Sequence, residues 1–194
     1  MKRSSHKTNQ LIPGKVSLVT PEEYHIQSSV TPLNIEYGFS DTPFGICLLA
    51  LCEKGICFLG FTDEDEISLR KELEQEWPLS FLSENKERIQ PVVETLFSGS
   101  APFYFDLYLK GTPFRHKVWL GLLEETSRGE LISYGELAAR IGVERAVRAV
   151  ATAIGHNPVS LLVPCHRIIR KEGVLGQYRW GADRKALLIR SEQS

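Results

Sequence analysis

Ser133-Tyr134-Gly135-Glu136-Leu137-Ala138-Ala139-Arg140-Ile141-Gly142, then Arg145-Ala146-Val147-Arg148-Ala149-Val150-Ala151-Thr152-Ala153-Ile154, is the stretch from which the architecture of the second half can be read. Ser133 and Glu136 have the spacing of a capping box, in which each side chain satisfies the other residue's backbone N–H at a helix start. Leu137, Ala138 and Ile141 give that short helix an apolar side, and Gly142 suits its end. A second helix is expected over residues 145–154. Arg145 and Arg148, three apart, share a face of it, and Ala146, Ala149 and Ala153 are small enough for a close backbone approach. A short helix, a glycine turn and an alanine-rich helix bearing arginines form the helix-turn-helix pattern. A plain helical hairpin remains open on this stretch alone.

Toward the N-terminus, Thr112-Pro113 reads as an N-cap followed by proline at the first helical position. Phe114, Val118, Trp119, Leu122 and Leu123 recur with helical period to about Thr126. Before Gly111 the character differs. Asn34–Phe39, Gly45–Cys52 and Gly55–Phe61 are β-rich, and only Glu53-Lys54 separates the last two, the spacing of a hairpin. Asp63–Trp77 and Arg88–Phe97 carry helical patterns, and Phe103–Tyr108 reads as a further strand. These segments predict an α/β domain over residues 31–108 and a mainly helical domain over 109–194. Residues 1–30, polar and interrupted by Pro13, Gly14 and Pro21, are expected to form a tail or loosely docked arm. Ile168–Trp180, rich in glycine, reads as a loop or β-wing, and Asp183–Glu192 as a closing helix.

Charge follows the same division. Residues 1–108 carry 9 Lys/Arg against 16 Asp/Glu, net −7, and residues 109–194 carry 14 against 8, net +6. A basic half facing a polyanion, with an acidic half turned away, is the physical reading. No apolar run approaches the roughly 20 residues of a membrane span, and the basic opening Met1–Lys7 lacks a secretory apolar core. A cytoplasmic or nuclear protein is therefore expected. Cys47, Cys52, Cys57 and Cys165 contain no CxxC pair and no histidine spaced to complete a zinc site. Reduced cysteines and no metal are expected.

Pro164-Cys165-His166-Arg167 places a thiol beside an imidazole and a guanidinium. Such neighbours lower a cysteine's pKa and favour the thiolate, the nucleophilic form. Cys47, Cys52 and Cys57 lie in strand-like apolar runs and read as small core residues.

Ser133-Tyr134-Gly135-Glu136-Leu137-Ala138, Arg148-Ala149-Val150, Asn157-Pro158, Val163-Pro164-Cys165-His166-Arg167 and Tyr178-Arg179-Trp180-Gly181 together resemble the O6-alkylguanine-DNA alkyltransferases, the methylated-DNA–protein-cysteine methyltransferases. The similarity runs from about Leu33 to Glu192, and the Tyr-Arg-Trp-Gly version is most similar to the C-terminal domain of bacterial adaptive-response proteins. The resemblance implies a ribonuclease-H-like α/β domain followed by a winged helix-turn-helix domain. It also implies a monomer that binds double-stranded DNA through the minor groove without sequence specificity, flips the alkylated base out, and needs no cofactor. Flipping follows from chemistry, since a thiolate cannot reach an alkyl carbon inside the base stack.

Carried onto this sequence, the resemblance implies that Cys165 accepts the alkyl group from guanine O6, and from O4 of thymine too, once per protein molecule. His166 would act as a base through a water, oriented by Glu192. Tyr134 would press on the backbone phosphate beside the target and protonate the departing guanine. Arg148 would fill the space left by the flipped base, in a DNA-binding set with Tyr134, Arg145, Ala146 and Ala149. Asn157 would be the hinge, and Pro164, Ile168, Tyr178 and the backbone near Arg179 would line the pocket. Ser160, where some members carry a second proline, and the large ring of Trp180 predict short alkyl adducts rather than bulky ones. Two other readings stay open: a lesion-binding protein without transfer, against which Cys165 itself speaks, and a dimeric helix-turn-helix regulator with a redox-sensing cysteine.

Overall fold

The computed structural model describes residues 11–98, 102–171 and 173–193. Its first half is a six-stranded sheet: β1 (Leu11–Val19), β2 (Asn34–Thr42), β3 (Gly45–Cys52), β4 (Gly55–Thr62), β5 (Phe81–Glu84) and β6 (Phe103–Lys110), in the order β1-β6-β4-β3-β2-β5. β2, β3 and β4 form an antiparallel meander, while β5, β6 and β1 join in parallel. β3 and β4 are near-continuous apolar runs because both of their faces are covered. Helices α2 (Glu66–Glu76) and α3 (Lys86–Ser98) lay Leu69, Leu73, Ile89, Val93 and Leu96 on the sheet.

Residues 11–30 are no tail, which corrects the expectation from sequence; residues 1–10 lie outside the described residues. β1 runs parallel to β6 from Leu11↔Phe103 to Val19↔Lys110, with a register shift at Pro13 and Val16. An edge strand tolerates Pro13 because the proline's missing N–H need not meet a neighbour, and this mixed polar edge hides the alternation. α1 (Pro21–Val30) follows, started by a capping box between Thr20 and Glu23 with proline in the first turn. Tyr24 fixes it by packing edge-on against Trp77 at 5.1 Å and bonding Ser80 through its hydroxyl.

The second half contains α4 (Pro113–Glu125), β7 (Ile132–Ser133), α5 (Tyr134–Arg140), α6 (Val147–Gly155), β8 (Ile168–Ile169) and α7 (Ala182–Gln193). The Ser133–Glu136 capping box is formed, with the Ser133 hydroxyl accepting from the Glu136 N–H and the Glu136 carboxylate accepting from the Ser133 N–H. Gly142 takes a left-handed φ of 68° just after α5, a conformation that disfavours a side chain and lets the chain turn sharply. The second helix of the pair is shorter than expected: Glu144–Ala146 is a 3-10 turn, and α6 begins at Val147. The wing reduces to β8, which pairs parallel with β7, and an irregular loop.

The two halves are joined through backbone as well as side chains. β4 meets β6 at Ile56↔Leu107, and farther along β4 a segment of the second half takes the free edge. There the Leu59 N–H donates to Pro158 O at 3.0 Å and the Ser160 N–H to Leu59 O at 2.8 Å. Trp180 packs edge-on against Phe58 at 6.1 Å, over Gly60, where an added Cβ would lie 2.6 Å from the indole ring. Arg184 donates to Phe44 O, Trp180 O and Asp63 Oδ1, and Arg179 pairs with Glu72 at 2.6 Å. The α/β half thus forms a rigid floor for the loop that carries Cys165.

Candidate active site

Asn157, just beyond α6, organises the loop after it. Its Nδ2 donates to Val163 O at 2.9 Å and to Cys165 Sγ at 3.1 Å, and its Oδ1 accepts from the Val159 N–H at 3.0 Å. Between those anchors the chain turns twice. Leu162 N donates to Ser160 O at 2.7 Å across Leu161, whose φ is 66°, the signature of a strained γ-turn. Cys165 N then donates to Val163 O at 2.8 Å across Pro164, at φ −82° and ψ 58°, the common inverse form. Cys165–Arg167 follows as one 3-10 turn. A non-glycine residue in the left-handed region costs about 1–3 kcal/mol and persists where the surroundings enforce it. Here the Asn157 side chain and the β4 edge do so.

The surroundings of Cys165 differ from those its tetrapeptide suggests. Burial pushes the thiol up, and the groups that pull it back down are Asn157, Lys185 and the Tyr178 hydroxyl. Arg167, its neighbour in sequence, instead points its guanidinium at Glu192 and at Thr126 O. The positive charge near the sulfur comes from Lys185 of α7, a buried lysine whose ammonium donates to Ile168 O and Leu175 O. Burial brings Lys185 down to about 8, partly offset by Cys165. The resting cysteine is thus a thiol, held among groups that favour its ionised form.

Behind it lies an ion-paired cluster. His166 Nε2 meets Glu192 Oε1 at 2.9 Å, and Arg167 donates to both Glu192 oxygens at 2.9 Å. The Gly129 N–H gives Glu192 Oε2 a further bond at 3.0 Å. Burial would raise the Glu192 carboxyl, but His166 and Arg167 outweigh it and hold the group well below the carboxylate range. Burial keeps the His166 ring neutral by lowering its pKa, against the opposing pull of Glu192. With Nε2 facing the carboxylate, the buried His166 Nδ1 has no protein partner among the described residues. A neutral imidazole whose Nε2 donates to Glu192 leaves Nδ1 as a free acceptor, the tautomer a base requires.

Cys165 opens into a cleft of about 690 Å³, also lined by Tyr134, Ala151, Asn157, Arg170, Tyr178 and Trp180. Tyr134, at the start of α5, is half-buried; burial raises its phenol, as does a charge on Cys165. Arg145 and Arg148 are exposed and do not line the cleft, and neither forms an ion pair among the described residues. Ala149 is exposed too, and Ala146 sits in the 3-10 turn ahead of α6. Ala153, read as part of that small-residue face, instead packs inward, its carbonyl accepting from Trp119 Nε1 at 2.9 Å. Pro164 and Ile168 are buried behind the cleft and do not line it, because the 3-10 turn and β8 face them into the core. Arg179 and Tyr178 do line it. The sequence reading missed Lys185; a lysine on the apolar side of a closing helix was its only signal. A second cleft of about 740 Å³ opens between α1 and the β3–β4 turn; it includes Cys52 but no histidine.

A mixed six-stranded sheet joined to a helix-turn-helix unit, with a buried cysteine in a cleft under the second helix and a His–Glu pair next to it, is the arrangement of a DNA-binding domain set on a ribonuclease-like one. Two family models match in tandem: the ribonuclease-like domain of 6-O-methylguanine DNA methyltransferase over residues 35–114 and its DNA-binding domain over residues 113–194. The chain belongs to the 6-O-methylguanine DNA methyltransferase family. It is 37% identical to the methylated-DNA–protein-cysteine methyltransferase of Mycolicibacterium paratuberculosis, over 82% of this chain and 93% of that protein. It is also 37% identical to the Escherichia coli bifunctional transcriptional activator/DNA repair enzyme Ada, over 82% of this chain but 46% of that protein. The chain therefore spans about half the length of the Ada-type relatives. Among solved structures, Mycobacterium tuberculosis O6-methylguanine methyltransferase matches with a TM-score of 0.66 at 32% identity, covering 82% of this chain and 93% of that one. The M. tuberculosis protein in complex with DNA matches with a TM-score of 0.66 at 31% identity, covering 81% and 92%.

Proposed function

We propose that this protein repairs alkylated DNA by direct reversal, moving the alkyl group from O6 of guanine, and from O4 of thymine, to its own Cys165. The observation that carries this reading is Cys165 in a cleft beneath α6, with Asn157 on its sulfur and the His166–Glu192 pair behind it. In the reaction His166 Nδ1 takes the thiol proton through an intervening water, and the thiolate attacks the alkyl carbon. The S–C bond forms as the C–O6 bond breaks, and the electron pair stays on guanine, which Tyr134 protonates. The product thioether has no leaving group suited to reversal, so one molecule repairs one lesion.

The net charge of +6 over residues 109–194 supports binding to double-stranded DNA chiefly through phosphates, without sequence preference. The exposed Arg145, Arg148 and Ala149 suit the minor groove, with Arg148 occupying the place of the extruded base. The protein acts as a monomer in the cytoplasm; no helix among the described residues is long and apolar enough to cross a membrane. Trp180, held against β4, narrows the cleft to short adducts. Mass spectrometry after incubation with duplex DNA containing O6-methylguanine tests the reading. One methyl group on the Cys165 peptide is expected, and DNA binding without that mass gain would overturn it.

A further inference from the structure

Ser160 is fully buried, and its hydroxyl lies 2.5 Å from the hydroxyl of Tyr178. Tyr178 lines the same cleft as Cys165, and its hydroxyl pulls the thiol's pKa down. Each hydroxyl carries a single proton. When Cys165 is a neutral thiol, the Tyr178 proton is free to point at Ser160. Once the sulfur is negative, the best arrangement runs one way, from Ser160 to Tyr178 to sulfur, and Tyr178 can give its proton to the sulfur without losing a partner.

We infer that Ser160 is a positioning residue that turns the Tyr178 hydroxyl onto the Cys165 sulfur and thereby stabilises the nucleophile. The inference rests on Cys165 being the reacting thiol of the proposed function, but its test does not require DNA. Ser160 is well placed for the task. Its N–H is fixed to Leu59 O of β4 and its C=O closes the strained γ-turn at Leu161, so the Cα–Cβ bond has little freedom. A hydroxyl on that backbone returns to one place. Among the described residues, the backbone of Tyr178, in the loop before α7, has one anchor, its C=O accepting from the Gly181 N–H. The orientation of the phenol is therefore set from the Ser160 side.

Other groups act on the same sulfur. Asn157 donates to it, and Lys185 and Tyr134 sense its charge from α7 and α5. His166 lies next to it in the chain, and Arg184 faces Tyr178 from α7. All of these are common to variants at Ser160, so a comparison among such variants isolates the relay. A bond to an ionised group is stronger than one between neutral partners, so the relay favours the thiolate over both the thiol and the alkylated thioether.

The test is the pH dependence of carboxamidomethylation of Cys165 by iodoacetamide, followed on the Cys165 peptide so that Cys47, Cys52 and Cys57 do not contribute. Ser160→Ala should raise the apparent pKa of Cys165 by about 0.5 to 1 and slow labelling at neutral pH about three- to tenfold, with no change on the alkaline plateau. Ser160→Thr, which keeps the hydroxyl, should restore the wild-type profile. Tyr178→Phe should raise the pKa at least as much, and Ser160→Ala combined with Tyr178→Phe should match Tyr178→Phe alone. The inference is overturned if Ser160→Ala titrates as wild type, if threonine fails to rescue, or if the double variant adds the two single effects. A protein that shows the Ser160 effect but transfers no methyl from DNA would sink the proposed function and leave the relay standing.

Discussion

The β3–β4 hairpin and the loop from Asn157 to Arg167 both bury cysteines, and they build opposite surroundings for them. In the hairpin, backbone groups pair along regular ladders and the thiols meet carbonyls and apolar side chains. Burial pushes Cys47 up to about 12 and Cys57 well above its ordinary value, while Cys52 is lowered by its bond with Cys57 and by the turn backbone at Lys54 and Gly55. In the loop the ladder is gone. Two γ-turns and the Asn157 side chain hold the backbone, and Asn157, Lys185 and Tyr178 converge on the one sulfur. Burial makes a thiol inert by default; around Cys165 the groups that oppose burial are delivered from separate parts of the chain, whereas Cys52 is lowered by its own hairpin.

The contrast can be broken most directly at the thiols themselves. Cys165→Ala should abolish methyl transfer from O6-methylguanine DNA, read by mass spectrometry, without unfolding the protein. Cys47→Ala and Cys57→Ala should keep one methyl per chain and lower stability by about 1 kcal/mol in thermal unfolding. Next in size is Glu192→Gln. It leaves the part-buried Arg167 without a carboxylate and the buried His166 without its orienting charge, so stability should fall by about 3 kcal/mol and the single-turnover rate by about 100-fold. Asn157→Ala should follow, at about 2 kcal/mol, since it strips the Val159 N–H of its partner and the Val163 C=O of one of two. Its effect on transfer should exceed its effect on the hairpin's hydrogen-exchange protection.

Acid sharpens the same comparison. The native Glu192 carboxyl titrates below its ordinary 4.5, so the unfolded chain takes up that proton first as pH falls. The stability from this cluster is complete above about pH 4.5 and is lost as pH falls toward the depressed native value. His166 acts in the same direction from higher pH: its native pKa lies below 6.5, so protonating the unfolded ring erodes stability as pH drops below that point. Denaturant melts from pH 7 to 3 should slope less steeply in Glu192→Gln than in wild type. The smallest structural effect is expected for Arg148→Ala. Stability should change by less than about 0.5 kcal/mol, while transfer from duplex DNA slows roughly tenfold and transfer from the free base is unchanged.

Local patterns carried the elements well where a helix start or a two-faced strand was involved. The capping box at Ser133, the proline after Thr112 and the apolar runs of β3 and β4 all stand where their spacing put them. The same signature, Thr20-Pro21-Glu22-Glu23, also marked α1 and went unread, because the mixed edge strand before it offered no alternation to attach it to. The start of α6 shifted because Arg145 and Ala146 belong equally to a 3-10 turn or to a helix, and packing on α5 decides between them.

For the site, nearest neighbours in the chain marked the thiol and its histidine, but suggested an arginine beside the sulfur where Arg167 turns to Glu192 and Thr126 instead. Short-range spacing is enough to say that Pro164-Cys165-His166-Arg167 holds a thiol worth activating, that Ser133 caps a helix, and that the second half is basic, because these depend on adjacent residues or on charge alone. Which groups reach the sulfur depends on folding across 8 residues for Asn157 and 18 for the Ser160–Tyr178 pair. It also depends on a helix that buries Lys185 while a 3-10 turn swings Arg167 away to Glu192. Electrostatic effect follows distance and burial in space, and a linear chain specifies neither until β4 and α7 have closed around the loop.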